Sequence, residues 1–335
     1  MRRTLVVAEP ETMRLEERAD LTPGPDEVVA RPAFCGVCGT DLEIWHGEVD
    51  AAFIRYPVTI GHEWSGVVEA VGANVTGIEP GMRCVAEGII PCGHCAPCLV
   101  GATNVCETYD ELGFTREGGA ADQVAAPARV VHALNDDVPL LDAALTEPSA
   151  VVLTGLEKAQ LGRDLRVLVV GDGSIALLAV LLVQLWSPAE VVVAGLRAEQ
   201  EELALALGAT RFTTGAPPTG FDFAIEAAGA TAAAQTAIAS LRRGGTALLL
   251  GLPPAGSTLS LPADMLVNDD LTLVASFGYT TAGWARVVEL LNAGGFRPGR
   301  LVTHRFELAE YEQAFAALAG ADGVRGKVML EIAHG

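Results

Sequence analysis

Four cysteines constrain this chain more than any other feature. Cys92, Cys95, Cys98 and Cys106 follow the spacing C-x2-C-x2-C-x7-C. Four thiolates at that spacing close a tetrahedral structural zinc site with no open position. Gly93 and Pro97 lie between them and permit the tight turns required. An iron–sulfur cluster is the rival, since ferredoxins also use C-x2-C-x2-C. The x7 gap and the absence of a Cys-Pro ending favour zinc. The chain has seven cysteines in all. The number is odd, they are clustered, and the N-terminal apolar run is too short for an export signal. Metal ligation is therefore expected in place of disulfides.

A second cluster spans Cys38 to Glu63, with Cys38-Gly39-Thr40-Asp41 and Gly61-His62-Glu63. Thiolate, imidazole and carboxylate are the ligand types of a catalytic zinc, where three protein ligands leave one position for water or substrate. Taken alone, the segment also allows Asp41 as an ordinary helix N-cap and His62 as a core histidine. Cys35-x-x-Cys38 has redox-pair spacing, but that chemistry needs a βαβ setting. The surroundings here read as strand and turn, so Cys35 is expected to be a buried small hydrophobe. Glu147-Pro148 by itself reads as a turn.

The length of 335 residues predicts about two domains. Up to about residue 150 the pattern is β-rich and punctuated by Gly and Pro. Strands are expected at 4–8, 27–31, 66–71 and 81–85, with no long helix before 140–150. The character then changes. Strands at 166–170, 191–195, 211–214, 221–227, 246–251 and 271–277 alternate with helices at 174–186, 199–207 and 231–241. That alternation predicts a parallel, doubly wound α/β sheet. A helix follows at 282–293. The mixed tail at 301–331 is too small to fold alone and is expected to return to the first domain. The expected division is 1–151 with 283–335 against 152–282.

Gly171-Asp172-Gly173-Ser174-Ile175-Ala176 follows a strand and opens a helix. In that context G-x-G-x-x-A is a dinucleotide fingerprint, with the pyrophosphate at the helix start near Ser174. Asp172 is anomalous, because a carboxylate beside phosphates must point away. The next strand ends in Gly195-Leu196-Arg197, without the acid that holds NAD ribose hydroxyls. Arg197 can instead pair with a 2′-phosphate, so NADP(H) is favoured over NAD(H). The plain alternative makes Arg197 a solvated loop residue.

The net charge is −20 and lysine occurs only at Lys158 and Lys327. No basic patch is present, which argues against nucleic acid and against an anionic membrane surface as partners. The longest apolar run, near 175–185, is too short to span a bilayer, which takes roughly 20 residues. A soluble cytoplasmic protein is expected.

Together these residues resemble the zinc-dependent alcohol dehydrogenase branch of the medium-chain dehydrogenase/reductase superfamily. Gly61-His62-Glu63-x2-Gly66-x5-Gly72-x2-Val75 matches that branch's signature G-H-E-x2-G-x5-G-x2-[IVTSAC]. The resemblance runs from about Glu27 to Lys327. It implies a GroES-like, β-rich catalytic domain with a Rossmann cofactor domain, and two zincs per chain, one catalytic and one structural. By the same resemblance Cys38 and His62 are catalytic-zinc ligands, and Glu63 is a direct or transient one. Glu147 matches the Glu-Pro ligand position of sorbitol- and glucose-dehydrogenase-like members. Asp41 would orient His62, and Thr40 would hydrogen-bond the alcohol and pass on its proton. Many relatives carry His where this chain has Glu43, so the relay ends at Glu43, at His46 or in water. Gly171, Gly173, Ser174, Ile175, Gly195, Arg197, Gly251, Ser276 and Phe277 would hold the cofactor.

The stretch from Cys106 to Phe114 resembles sugar, polyol and aminocyclitol dehydrogenases, where an acid near Glu111 contacts substrate hydroxyls. The leading expectation is hydride transfer between a secondary alcohol of such a substrate and NAD(P). L-threonine or a short-chain alcohol is the alternative within the class, with Trp45, Phe53 and Tyr56 as apolar pocket walls. Outside it stand a non-catalytic NADP-binding protein with structural zinc only, and a zinc-free quinone reductase. By analogy with relatives the chain is a homodimer or homotetramer.

Overall fold

The computed structural model describes residues 1–320 and 323–332. The chain opens with strands β1 (Arg2–Glu9), β2 (Thr12–Arg18) and β3 (Glu27–Val37), then helix α1 (Gly39–His46). Strands β4 (Val58–Thr59), β5 (Glu63–Val71) and β6 (Arg83–Ala86) precede the short helix α2 (Ala96–Leu99). Then come β7 (Val124–Pro127), β8 (Val131–Leu134), α3 (Leu140–Ala143) and α4 (Thr146–Lys158). The alternating part is β9 (Arg166–Val170), α5 (Ser174–Val183), β10 (Glu190–Ala194), α6 (Glu201–Ala206), β11 (Arg211–Thr213), β12 (Phe221–Glu226), α7 (Thr231–Ala239), β13 (Leu241–Leu249), α8 (Ala263–Asn268) and β14 (Thr272–Ala275). The chain continues through α9 (Thr281–Asn292), β15 (Val302–Glu307), α10 (Tyr311–Ala319) and β16 (Lys327–Glu331).

These elements form two compact units. The first comprises Met1–Glu147, Thr280–Gly320 and the described residues from Lys327 onward. Its main sheet has the order β15-β16-β3-β5-β6-β8, with β7 paired to β3, and a small sheet has the order β2-β1-β4. β16 lies parallel to β15 and antiparallel to β3. β3 and β5 pair so that Gly36 faces Glu63 and Cys35 faces Trp64. The apolar core gathers Leu5, Val28, Ile44, Trp64 and Phe315 from these elements and Leu112 from the loop before β7.

The second unit comprises Pro148–Tyr279 and residues 323–326. Its six strands are parallel in the order β11-β10-β9-β12-β13-β14. Val167, Val169, Val191 and Val193 are buried, as strands covered on both faces require. α5 buries seven of its ten residues. The strand order reverses between β9 and β12, the place where such sheets bind nucleotides.

Two differences from the sequence reading have physical causes. The short helix α1 was not expected. Its eight residues begin with Gly39-Thr40 and carry no strong apolar face, so its ends define it. Cys38 is the N-cap, and Gly47 closes it in the left-handed conformation at φ 73°. Residues 323–326, expected with the first domain, belong to the second unit. Gln200 and Ser174 bind their backbone there. Residues 321–322 and 333–335 of that expected segment lie outside the described residues. No helix among the described residues is long and apolar enough to cross a membrane.

Candidate zinc and nucleotide sites

The four loop cysteines meet. Their Sγ atoms all lie within 4.8 Å of one another. Cys92 Sγ is 4.0 Å from Cys98 Sγ, and Cys95 Sγ is 3.8 Å from Cys106 Sγ. A zinc–thiolate tetrahedron with bonds of about 2.3 Å has edges of about 3.8 Å, whereas a disulfide needs about 2.05 Å. The donor set fits zinc. Backbone N–H groups already serve the sulfurs: Cys95 N donates to Cys92 Sγ, and Cys92 N to Cys106 Sγ, each over 3.3 Å. Backbone N–H groups of His94 and Cys95 bring the Cys92 thiol down to about 6.

The second cluster also assembles, from the start of α1 and the start of β5 in the first unit. Cys38 Sγ, a His62 ring nitrogen and a Glu63 carboxylate oxygen lie within 4.8 Å of one another. Cys38 caps α1, and its N–H donates to Asp41 Oδ2 over 2.8 Å. Asp41 thus caps the helix start, while its Oδ1 lies 3.6 Å from His62 Nδ1. Both of those atoms are buried without a hydrogen-bond partner. Burial opposes charge on His62, but Asp41 and Cys38 hold its pKa well above the ordinary value. Thr40 Oγ1 lies 3.9 Å from Cys38 Sγ. A half-buried thiol with a buried imidazole and carboxylate at this separation, and orphaned polar atoms among them, fit a zinc ion.

Glu63 has a second partner that sequence reasoning missed. Lys327 Nζ donates to Glu63 Oε1 over 2.5 Å, with both side chains almost wholly buried. Gly36 lies between them. A Cβ there would stand 2.3 Å from Glu63 Oε2 and 2.8 Å from Lys327 Cε. The available signal was a lone lysine, one of two in the chain, beside the apolar run Val328–Leu330.

Glu147 sits in the first turn of α4. Its oxygens are not part of the three-residue group within 4.8 Å. It keeps some exposed surface, yet desolvation pushes its carboxyl up to about 8. His62 and Lys327 oppose that shift, and Glu63 and Glu111 add to it. Glu111 is 9% exposed. Burial raises it to about 6 against the Tyr109 hydroxyl and His62. The Tyr109 hydroxyl donates directly to Glu111 Oε2, and the Tyr109 ring meets Phe53 edge-on at 5.0 Å. The other candidates are more dispersed. Trp45 packs edge-on against Phe315 in the apolar core. Tyr56 donates to the Ile44 carbonyl. Glu43 is exposed on α1, and partial desolvation and Glu48 raise its carboxyl. His46 Nδ1 is engaged by Glu11 at 2.8 Å. Cys35 is buried on β3, where desolvation drives its thiol far up and leaves it inert.

In the second unit, Gly171 takes φ 127°, and a Cβ there would press on the Ala227 backbone at 3.0 Å. A Cβ on Gly173 would meet nothing within 4 Å, so the start of α5 is open for a phosphate. Ser174 and Ile175 form the first turn of α5, and Ala176 is fully buried behind them. The Asp172 anomaly resolves here. Its Oδ2 accepts the N–H groups of Leu196 and Arg197, and its Oδ1 accepts Arg197 Nη2 at 2.8 Å. Gly195 makes this approach possible, since a Cβ would lie 2.8 Å from Asp172 Cβ. Gly251 packs on the Gly229 backbone. Ser276 Oγ is buried without a hydrogen-bond partner, and Phe277 is 57% exposed.

Residues 24–136 match the family described as alcohol dehydrogenase GroES-like domain, and residues 142–330 match the glucose dehydrogenase C-terminus. The chain is 30% identical over 323 residues to L-threonine 3-dehydrogenase of Chromobacterium violaceum, covering 92% of this chain and 93% of that one. A Sinorhizobium meliloti 1021 protein, assigned as a zinc-binding dehydrogenase and solved with NADP, superposes with TM-score 0.93 at 27% identity, covering 99% of each chain. The 2R,3R-butanediol dehydrogenase of Bacillus subtilis superposes at 0.89 with 25% identity, again covering 99% of each. Two joined family matches across one chain, with relatives alike from end to end, describe an NAD(P)-dependent alcohol dehydrogenase of the zinc type. The chain belongs to the zinc-dependent alcohol dehydrogenase branch of the medium-chain dehydrogenase/reductase superfamily.

Proposed function

We propose that the chain oxidises a secondary alcohol of a polyhydroxylated substrate (a sugar, polyol or aminocyclitol), or reduces the matching ketone. The observation that carries this is Glu111. It is a buried carboxylate held by the Tyr109 hydroxyl and within electrostatic reach of His62. Such a group recognises a hydroxyl or amino group next to the reacting carbon. L-threonine is the second reading, favoured by the curated relatives at 30% identity.

Cys38 and His62, with Glu63 or Glu147, would hold the catalytic zinc, and Cys92, Cys95, Cys98 and Cys106 the structural one. When bound, the catalytic zinc would supply Lewis-acid polarisation and the nicotinamide the hydride-transfer chemistry. Thr40 takes the hydroxyl proton and Glu43 receives it one helical turn on, since positions three apart share a helix face. His46 is already engaged by Glu11. NADP(H) is the preferred cofactor, supported by Arg197 at the end of β10 and the NADP-bound neighbour.

A substrate panel with each cofactor tests this. Polyols or cyclitols with NADP are expected to give the highest kcat/KM. If L-threonine or butan-2-ol outpaces every polyol and cyclitol, the substrate reading falls.

A further inference from the structure

Asp172 ties up the cation assigned to the 2′-phosphate. Arg197 Nη2 donates both to Asp172 Oδ1 and to the Asp172 carbonyl. That ion pair is neutral as a unit. A phosphate monoester carries about −1.5 to −2 charges. One guanidinium already matched to a carboxylate is a poor counterpart for it, so a second cation is needed.

The returning segment anchors the backbone of a second arginine, Arg325, through a side chain that also binds Asp172. Gln200 is fully buried. Its Nε2 donates to the Asp172 carbonyl at 2.6 Å and to the Arg325 carbonyl at 2.8 Å. Its Oε1 accepts the Arg325 N–H at 3.0 Å. One side-chain amide therefore joins the backbone of Arg325 to the residue that Arg197 grips. Next along, the Ser174 hydroxyl donates to the Gly326 carbonyl at 2.9 Å, fixing the segment to the first turn of α5. Desolvation lowers the Arg325 pKa. Repulsion from Arg197 adds to that and Asp172 opposes it, as for two guanidinium groups in one neighbourhood.

We infer that Arg325 supplies the second guanidinium of the 2′-phosphate subsite, positioned by Gln200, and so sets the preference for NADP(H) together with Arg197. This rests on the NADP(H) reading above. The subsite is then built from three separate stretches of sequence: the glycine loop, the end of β10 and the segment returning before β16.

Calorimetric titration of the zinc-loaded full-length protein with 2′,5′-ADP and 5′-AMP tests it. The unaltered protein is expected to bind 2′,5′-ADP at least tenfold tighter than 5′-AMP. Arg325→Ala is expected to weaken 2′,5′-ADP at least fivefold while 5′-AMP stays within twofold, with Arg325→Lys in between. Arg325→Met keeps an apolar stem and gives the same readout if the alanine variant folds poorly. If the unaltered protein discriminates but the Ala and Met variants keep its full ratio, the Arg325 assignment is wrong and the NADP(H) reading stands. If the unaltered protein does not discriminate, both fall together.

Discussion

Lys327 and Glu63 form a buried ion pair across 264 residues of sequence, with 3% and 1% of their side chains exposed. Removing one partner leaves the other charge buried without compensation, which costs about 3–5 kcal/mol. Lys327→Met is therefore expected to lower the urea unfolding free energy by about that much. The double variant Lys327→Met with Glu63→Gln should recover a large part, because neither charge then remains. A loss below about 1 kcal/mol for the single variant would count against the pair as a structural element.

The two zinc clusters should separate by variant. Cys38→Ser is expected to reduce zinc from about two per chain to about one. It should cut kcat by roughly 10³-fold, the equivalent of several kcal/mol of lost polarisation, and leave NADPH binding within twofold. Cys98→Ser should also lose one zinc, but with a fall in thermal midpoint as its main effect, since structural zinc contributes folding energy directly. Metal analysis, turnover and melting curves on both proteins decide it. Near-normal turnover of Cys38→Ser would sink the catalytic assignment.

The proton relay has a pH signature. Glu43 accepts a proton only when ionised, and partial desolvation with Glu48 nearby raises its carboxyl above the ordinary value. The oxidation rate should therefore fall as pH drops through that raised value. Glu43→Gln is expected to lower kcat by about 10²-fold, within the usual range for a general base, and to erase this acid limb. His46→Ala should change kcat less than threefold. The opposite ranking of the two variants would move the relay to His46.

Glu111 and Tyr109 predict a split between KM and kcat. Glu111→Gln is expected to raise KM for a polyol about tenfold while leaving butan-2-ol within twofold, because only the former offers a neighbouring hydroxyl. Tyr109→Phe should act in the same direction with a smaller effect, through a carboxylate no longer held in place. Equal effects on both substrates would assign the pair a structural role.

The parallel sheet was legible because its valine runs and glycine loop obey local rules. β9 occupies the residues expected for it, and β10, β11 and β12 differ by only a residue or so at their ends. The cysteine loop was legible for the same reason, as its chemistry is contained in fifteen consecutive residues, 92 to 106. Cys38 was read as a ligand candidate, but its place as the N-cap of α1 was not. A helix of eight residues leaves too little periodicity to detect. Lys327 and Gln200 were missed because their roles exist only in three dimensions. Each depends on a partner more than 100 positions away. Asp172 stands out of place in the sequence, and its explanation lies with Leu196 and Arg197 in the loop after the neighbouring strand.

β16 fills the gap between β15 and β3 and carries Lys327 at its start. On the ribosome, Glu63 emerges 264 residues earlier than that lysine. At about 5–20 residues per second the interval is roughly 13–50 s. Throughout it, the edge of β3 that carries Cys35 and Gly36 has no neighbour, and Glu63 lacks its counter-charge. Glu63 thus gains its counter-charge only once β16 has been made. Until then a growing chain exposes an unsatisfied strand edge next to three metal-seeking groups, and β16 closes both in one step.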